Sequence, residues 1–280
     1  MKVRIVIDSS TDLRPEIVDR VSVVPLTISF GEDVFVDGVT IDRKRFYEKL
    51  IESDVIPKTS QPSPDAFMKV YEEAKAAGEE VVVITVSSKL SGTFQSAMIA
   101  AEEYDNVFIV DSRSVAIGAG ILAEYALRLA DGGMEAKDIF ESLIAQRQNV
   151  RVIAMLDTLE YLRRGGRISG AAAFAGGLLS IKPVVSIEDG EIRILGKARG
   201  SKQGNNLLMK EIEVSGGVNF EMPLLLGYTG LSDALLKKYI EDSADLWAGN
   251  VEKLPATVVG SSVGTHAGPG AVAVAYFKNK

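Results

Sequence analysis

The sequence predicts an α/β protein of two domains, residues 1–149 with a mostly parallel sheet flanked by helices and residues 150–280 with a mixed sheet and helices. Three observations carry that expectation. Up to Asn149, short β-branched apolar runs alternate with segments of helical periodicity, as in successive βαβ units. Beyond it the runs are joined by tighter turns and include a clear hairpin. The chain is also 280 residues long and 46% apolar, more than a single core usually organises.

Taken in order, Val3 to Ile7 is a short buried strand running into Asp8, Ser9, Ser10, Thr11 and Asp12. Small polar residues there either meet a ligand, as at the strand ends of open α/β sheets, or form the turn before a short helix near Pro15. Val21 to Phe30 is a strand interrupted by Pro25, which places it near an edge. Gly31 to Val39 reads as a hairpin or flap, and Asp42 caps a helix carrying Phe46, Tyr47, Leu50 and Ile51. Ser63 and Pro64 start a helix that Gly78 ends. Thr59 and Ser60, upstream of it, are held extended by Pro62, and no cap uses their hydroxyls. Val81 to Val86 has the composition of a strand buried on both faces. The polar stretch Ser87 to Ser96 follows, then a helix whose apolar face is Phe94, Ala97, Met98 and Ala101. Val107 to Val110 is a further strand and Ala116 to Ala130 a small-residue helix. Gly118, Gly120 and Ala123 fit a dinucleotide pattern but stand six residues from the strand end at Asp111, too far for that motif.

In the second half, Val150 to Leu156 is a strand and Thr158 to Arg164 begins a helix that runs into Gly165 and Gly166. Ala171 to Leu179 is apolar but made of very small side chains, which suits either close helix packing or room for a slender ligand. Lys182 to Ile187 and Glu191 to Leu195, joined by Asp189 and Gly190, form a hairpin. Pro223 to Tyr228 and Ala256 to Val263 are strands with the helix Asp233 to Asp242 between them. Three glycines and a proline in Gly264 to Gly270 then predict a tight turn around His266, before a last apolar segment, Ala271 to Phe277.

Composition removes several functions. Without cysteine and with a single histidine, disulfides, thiolate or multi-histidine metal centres and cysteine nucleophiles are excluded. A net charge of −7 argues against a nucleic-acid surface. The opening MKVRIVIDSS reaches Asp8 before any signal-like apolar core forms, and no stretch of about 18 apolar residues occurs, so a soluble cytoplasmic protein without stable membrane insertion is expected. The P-loop pattern is absent as well, and no cofactor is expected.

Ser91, Gly92 and Thr93 offer two hydroxyls and open backbone at the start of a helix, where an anion would be welcome; the alternative is that Ser91 caps its own helix. His266 is either structural or a ligand contact, and its glycine-rich surroundings favour contact. A serine hydrolase is the competing reading of these residues. Gly260 to Gly264 matches G-x-S-x-G, but His266 follows too closely and no acid lies between. Ser91 with His266 and Asp111 or Asp157 has no motif behind it.

Lys58-Thr59-Ser60-Gln61-Pro62, Ser87 to Thr93 (SSKLSGT), Asp157 to Ser169 (DTLEYLRRGGRIS) and Gly264 to Gly270 (GTHAGPG), with the opening Val6 to Asp12, resemble the signatures of the DegV family, in that order and over essentially the whole chain. The resemblance implies a bacterial fatty-acid-binding protein, the lipid-carrying subunit of a fatty acid kinase. It implies two α/β domains with an acyl tunnel whose polar mouth lies near the domain junction. Thr59, Ser60, Ser91, Gly92, Thr93 and His266 would then meet the carboxylate, with Arg167 either touching ligand or bracing its turn. Small residues such as Ala116, Gly118 and Ala171 to Ala173 would shape the tunnel. The implied partner is a kinase catalytic subunit that phosphorylates the bound acid to an acyl phosphate for phospholipid synthesis, so this chain would not itself be an enzyme. Lys197, Arg199 and Lys202 are the basic patch available for docking, or a solvated loop. The alternative from another class is a serine-dependent lipid esterase or acyl hydrolase using Ser91 and His266.

Overall fold

The computed structural model describes residues 2–168 and 181–279. The small-residue stretch 171–179, including the expected tunnel residues Ala171 to Ala173, lies outside the described residues. In chain order the first half runs β1 (Val3–Asp8), β2 (Ser22–Val24), β3 (Thr27–Phe30), β4 (Asp33–Val36), α1 (Arg43–Glu52), β5 (Lys58–Ser60), α2 (Pro64–Ala76), β6 (Glu80–Thr85), α3 (Thr93–Ala100), β7 (Val107–Asp111), α4 (Ile117–Asp131) and α5 (Ala136–Gln146). The second runs β8 (Val150–Met155), α6 (Glu160–Arg164), β9 (Ile181–Glu188), β10 (Glu191–Arg199), α7 (Gly200–Val214), β11 (Leu225–Tyr228), α8 (Ala234–Asp242), α9 (Ala244–Trp247), β12 (Ala256–Val258), α10 (Ser261–Ala267) and β13 (Val272–Phe277).

The first half holds a parallel sheet of order β2-β1-β6-β7 and a small antiparallel sheet of order β4-β3-β5. Pro25 does more than mark an edge. It splits the expected strand 21–30 into β2, the edge of the parallel sheet, and β3, the centre of the small one. The second half holds a six-stranded mixed sheet, β10-β9-β8-β13-β11-β12, in which only β11 and β12 pair in parallel. Its hairpin turns at Asp189 and Gly190, both with positive φ (49° and 84°), which matches the twist of the flanking strands.

No described strand before residue 149 pairs with one after it, yet a single apolar core joins the halves: Ile7, Val110 and Ile121 cluster with Val152, Leu225 and Phe277. Helix α4 mediates this contact, packing on β1 and β6 on one side and on β8, β11 and β13 on the other. Its small residues are explained by packing. A Cβ at Gly120 would overlap the Asp12 carbonyl, and one at Gly118 would overlap Ser114 and Val152.

Two caps form as expected: the Asp42 side chain accepts from Arg45 N (2.8 Å) and that of Ser63 from Ala66 N (3.3 Å). Helix α3 departs from expectation. Its buried face is Thr93, Ser96, Ala97 and Ala100, while Met98 is 44% exposed. The smaller side chains let α3 approach α2 closely, and that outweighs the hydrophobicity of Met98. The expected strand 256–263 is likewise cut to β12, because residues 261–267 coil into α10.

Candidate functional site

Where the halves meet, a cavity opens that encloses about 970 Å³ of space free of protein atoms, its open mouth included. The floor is one face of the mixed sheet. Strand alternation turns Val152, Ala154 and Leu156 at β8, Val185 and Ile187 on β9, and Ala271 and Ala273 at β13 to the same side. Ala273 stands opposite Ala154, and Ala154 opposite Val185, so a row of short side chains crosses three strands. Opposite this floor lie Leu26, Val86, Ala116 and Ile117. Ala116 adopts φ 54°, a conformation L-residues rarely take. It is held there by donating to Ser10 O (2.9 Å) and accepting from Asp12 N (3.1 Å).

At one end the wall becomes polar. Thr59 from β5, Ser91 from the turn before α3, Arg167 from the loop after α6 and His266 from α10 all line the cavity. Four separate stretches of sequence are thereby brought together. Thr59 Oγ1 and His266 Nε2 share a hydrogen bond of 2.9 Å, and Ser91 Oγ shares one of 2.8 Å with Thr93 Oγ1. Ser91 also accepts from Thr93 N (3.3 Å), so both readings of this turn hold in part: the serine closes its own turn and still faces the cavity. Gly92 is the N-cap of α3. A Cβ there would overlap the Gln61 side chain, which crosses it to donate to Ser96 Oγ (2.9 Å). Ser60 is exposed and is not brought to the cavity, since alternation along β5 turns it away from the side Thr59 faces.

His266 does not sit in a tight turn. It occupies the last turn of α10, and only Gly268 (φ 69°) and Gly270 (φ 81°) carry the backbone reversal. Gly264 lies within the helix, and its lack of a side chain serves packing: a Cβ there would press within 2.6 Å of Tyr47 Oη and 2.8 Å of the Phe46 ring. Burial, reinforced by the nearby positive charge of Arg167, pushes the imidazole pKa down to about 4, so the ring is neutral at pH 7. Its Nδ1 is buried with no hydrogen-bond partner among the described residues. A Cβ at Gly165 would overlap that nitrogen.

Arg167 braces its turn: Nε donates to Leu90 O (3.1 Å) and Nη1 to Gly165 O (2.6 Å). The turn itself is a Schellman closure of α6, with Arg167 N donating to Leu162 O (3.0 Å). No carboxylate lines the cavity among the described residues. Three other lining hydroxyls turn their protons away from it, Ser10 to Asp8 (2.5 Å), Ser186 to Glu188 (2.8 Å) and Ser262 to Asp37 (2.6 Å). Asp8, buried behind Ser10, has its pKa raised by burial, against hydrogen bonds from Ser10 and Val86 N.

The DegV family profile, described as that of an uncharacterised protein family, matches residues 2–279. The chain belongs to the DegV family. DegV domain-containing proteins of Caldanaerobacter subterraneus and Deinococcus radiodurans are 33% and 34% identical to it, over 100% and 98% of this chain and 99% and 98% of theirs. A DegV protein of Thermus thermophilus, solved as a fatty-acid binder, is 31% identical with a TM-score of 0.87, covering 99% of this chain and all of that one. A DegV protein of Eubacterium eligens solved with heptadecanoic acid is 26% identical with a TM-score of 0.85, again over 99% and 100%. No helix among the described residues of this DegV protein is long and apolar enough to cross a membrane.

Gly165 carries no sign in the sequence beyond its pairing with Gly166, one glycine more than a helix end needs. Gln61 has no role legible in sequence; the fold alone brings it across Gly92. The hydrolase arrangement is not assembled: the hydrogen bonds of Ser91 Oγ go to Thr93, while His266 bonds Thr59. Lys197 and Arg199 are exposed at the end of β10 and Lys202 is exposed in the first turn of α7, so the patch lies on regular elements and not on a loop.

Proposed function

We propose that this protein binds a long-chain fatty acid, with its carboxylate at Thr59, Ser91 and His266 and its tail along the apolar floor. The observation that carries this reading is the division of one cavity into an apolar wall and a mouth of hydrogen-bonding groups, Thr59, Ser91, His266 and the Arg167 guanidinium, with no acid in view among the described residues. Hydroxyls and a neutral imidazole bind a carboxylate without burying a further charge, and the Arg167 cation beside them is half-buried and already hydrogen-bonded to the Leu90 and Gly165 carbonyls when the site is empty. Each buried methylene is worth roughly 0.8 kcal/mol, so a long tail supplies about 10 kcal/mol before ordering costs, and the mouth sets direction. The fatty-acid-binding relatives support the same reading.

The second half of the proposal is presentation. The carrier acts in the cytoplasm, with residues 1–149 and 150–280 as its two domains. It offers the carboxylate to a separate kinase subunit that forms the acyl phosphate used in phospholipid synthesis. Family resemblance supports this step, as does the lack of a P-loop in the chain, and Lys197, Arg199 and Lys202 are the exposed cations offered for docking. Incubation of the loaded protein with a fatty acid kinase subunit and ATP tests it: acyl phosphate should form only when both proteins are present. Formation at the same rate with Lys197, Arg199 and Lys202 all changed to Ala would remove the patch from the proposal.

A further inference from the structure

Helix α10 carries His266 at one end, and its other end is gripped by two buried carboxylates from the first half of the chain. Asp12 Oδ1 accepts from Gly260 N (2.7 Å), and Asp37 Oδ2 accepts from both Ser262 N (3.2 Å) and Ser262 Oγ (2.6 Å). Asp37 is 6% exposed and Asp12 fully buried. Asp37 Oδ2 also takes the Ser9 hydroxyl (2.9 Å), and Ser9 Oγ in turn accepts from Leu26 N (3.0 Å). One carboxylate oxygen thereby ties the end of β1, the entry to β3 and the start of α10 together. Burying a carboxylate is costly unless its hydrogen bonds are all made, and nothing in the binding of a fatty acid calls for an acid here. Ser262 and His266 are one helical turn apart and both line the cavity, so whatever fixes Ser262 fixes the imidazole.

We propose that Asp37 is a positioning residue of the binding site: by holding Ser262 it sets the height and rotation of α10 and keeps His266 on Thr59. The function assigned to that site rests on the fatty-acid reading above; the geometry of the grip does not. Asp12 holds Gly260, two residues earlier, but its grip is shared with Arg43 Nη2 (3.1 Å), whereas Asp37 receives the Ser262 side chain.

Because the chain has one histidine, ¹⁵N-histidine labelling reports His266 without ambiguity. In lipid-free protein the imidazole should titrate near pH 4, facing Arg167 as its charged neighbour. In Asp37→Asn the midpoint should rise by about one pH unit or more toward the ordinary value, as water reaches the ring. Retention of [1-¹³C]palmitate should fall about tenfold in Asp37→Asn, and less than about twofold when the same change is made in His266→Ala. Asp37→Ala should exaggerate both effects, and circular dichroism checks that each variant is folded. An unchanged His266 midpoint in folded Asp37→Asn overturns the proposal. So do equal palmitate losses in both backgrounds, which assign Asp37 to general stability. Should the wild type bind no palmitate, the fatty-acid reading falls while the titration still decides the positioning role.

Discussion

The mouth of the cavity and the first turn of α10 are both buried and polar, yet they handle charge in opposite ways. At the mouth Thr59, Ser91 and His266 are neutral, and His266 Nδ1 has no partner among the described residues. At the helix start, Asp37 spends one oxygen on three donors and Asp12 meets Arg43 and a backbone N–H. A site that receives an anion, as proposed for this cavity, keeps fixed carboxylates out of its wall, and none lines it among the described residues. The scaffold behind it can use them: Asp37 Oδ2 has its donors, whereas Asp12 Oδ2 is buried without a hydrogen-bond partner and burial raises the Asp12 pKa.

The largest expected effect sets these regions against each other through pH. Burial raises the Asp12 pKa from 3.8 to about 7, against the Arg43 charge, so between those values the native state holds a proton that the unfolded chain has lost. Its contribution therefore makes stability fall as pH rises from about 4 to 7. His266 does the reverse. With its pKa lowered to about 4, the unfolded chain binds the extra proton up to about pH 6.5, and stability rises with pH over that window. Each contribution is on the order of 3–4 kcal/mol, and they oppose one another. Urea midpoints of lipid-free protein from pH 4 to 7.5 should accordingly fall more steeply with pH in His266→Ala than in wild type. In Asp12→Asn they should tilt toward rising. Parallel profiles for all three would mean that neither group titrates as described.

Next in size is the mouth alone. Removing a hydrogen bond to a charged group costs about 1.5–3 kcal/mol, so His266→Ala or Thr59→Ala should weaken palmitate binding by about 10- to 100-fold in a fluorescent-acid displacement assay. Ser60→Ala should leave it within about twofold, as that side chain faces away from the cavity. The apolar floor comes third. Ala154→Leu adds bulk beside Ala273 and Val185, and overpacking costs about 1–3 kcal/mol. Long acids should lose more affinity than acids of about ten carbons, and equal losses would take Ala154 out of the tail path. The smallest effect on stability is at Gly165→Ala. The new methyl displaces the imidazole, so the affinity lost should approach but not exceed that of His266→Ala, with the urea midpoint changed by less than about 1 kcal/mol equivalent.

Much of this was legible in local chemistry. Asp42 and Ser63 announce their helices, Asp189-Gly190 its hairpin, and Pro25 a break, because each acts through its own backbone. Of the cavity residues, Thr59 stands out as a hydroxyl no cap uses, Ser91 as a hydroxyl at an open helix start, and His266 for the glycines around it. What escaped depends on approach between distant segments. Met98 has the right spacing for a core face but yields to Ala97 and Ala100, which let α2 come closer. Ala116 takes a glycine-like conformation under backbone hydrogen bonds from a loop a hundred residues earlier in the chain. Gly264 reads as a turn residue and is a packing residue, with Tyr47 and Phe46 filling the space its side chain would need. Asp37 carries no motif at all; only the fold brings it to Ser262, 225 residues away.

The measurement that tests the central claim most directly is mass spectrometry of an organic extract from protein purified without detergent, beside His266→Ala and Thr59→Ala. About one long-chain fatty acid per chain in the wild type, depleted in both variants, is the predicted result. A wild type that carries no lipid and binds neither added palmitate nor oleate would contradict it.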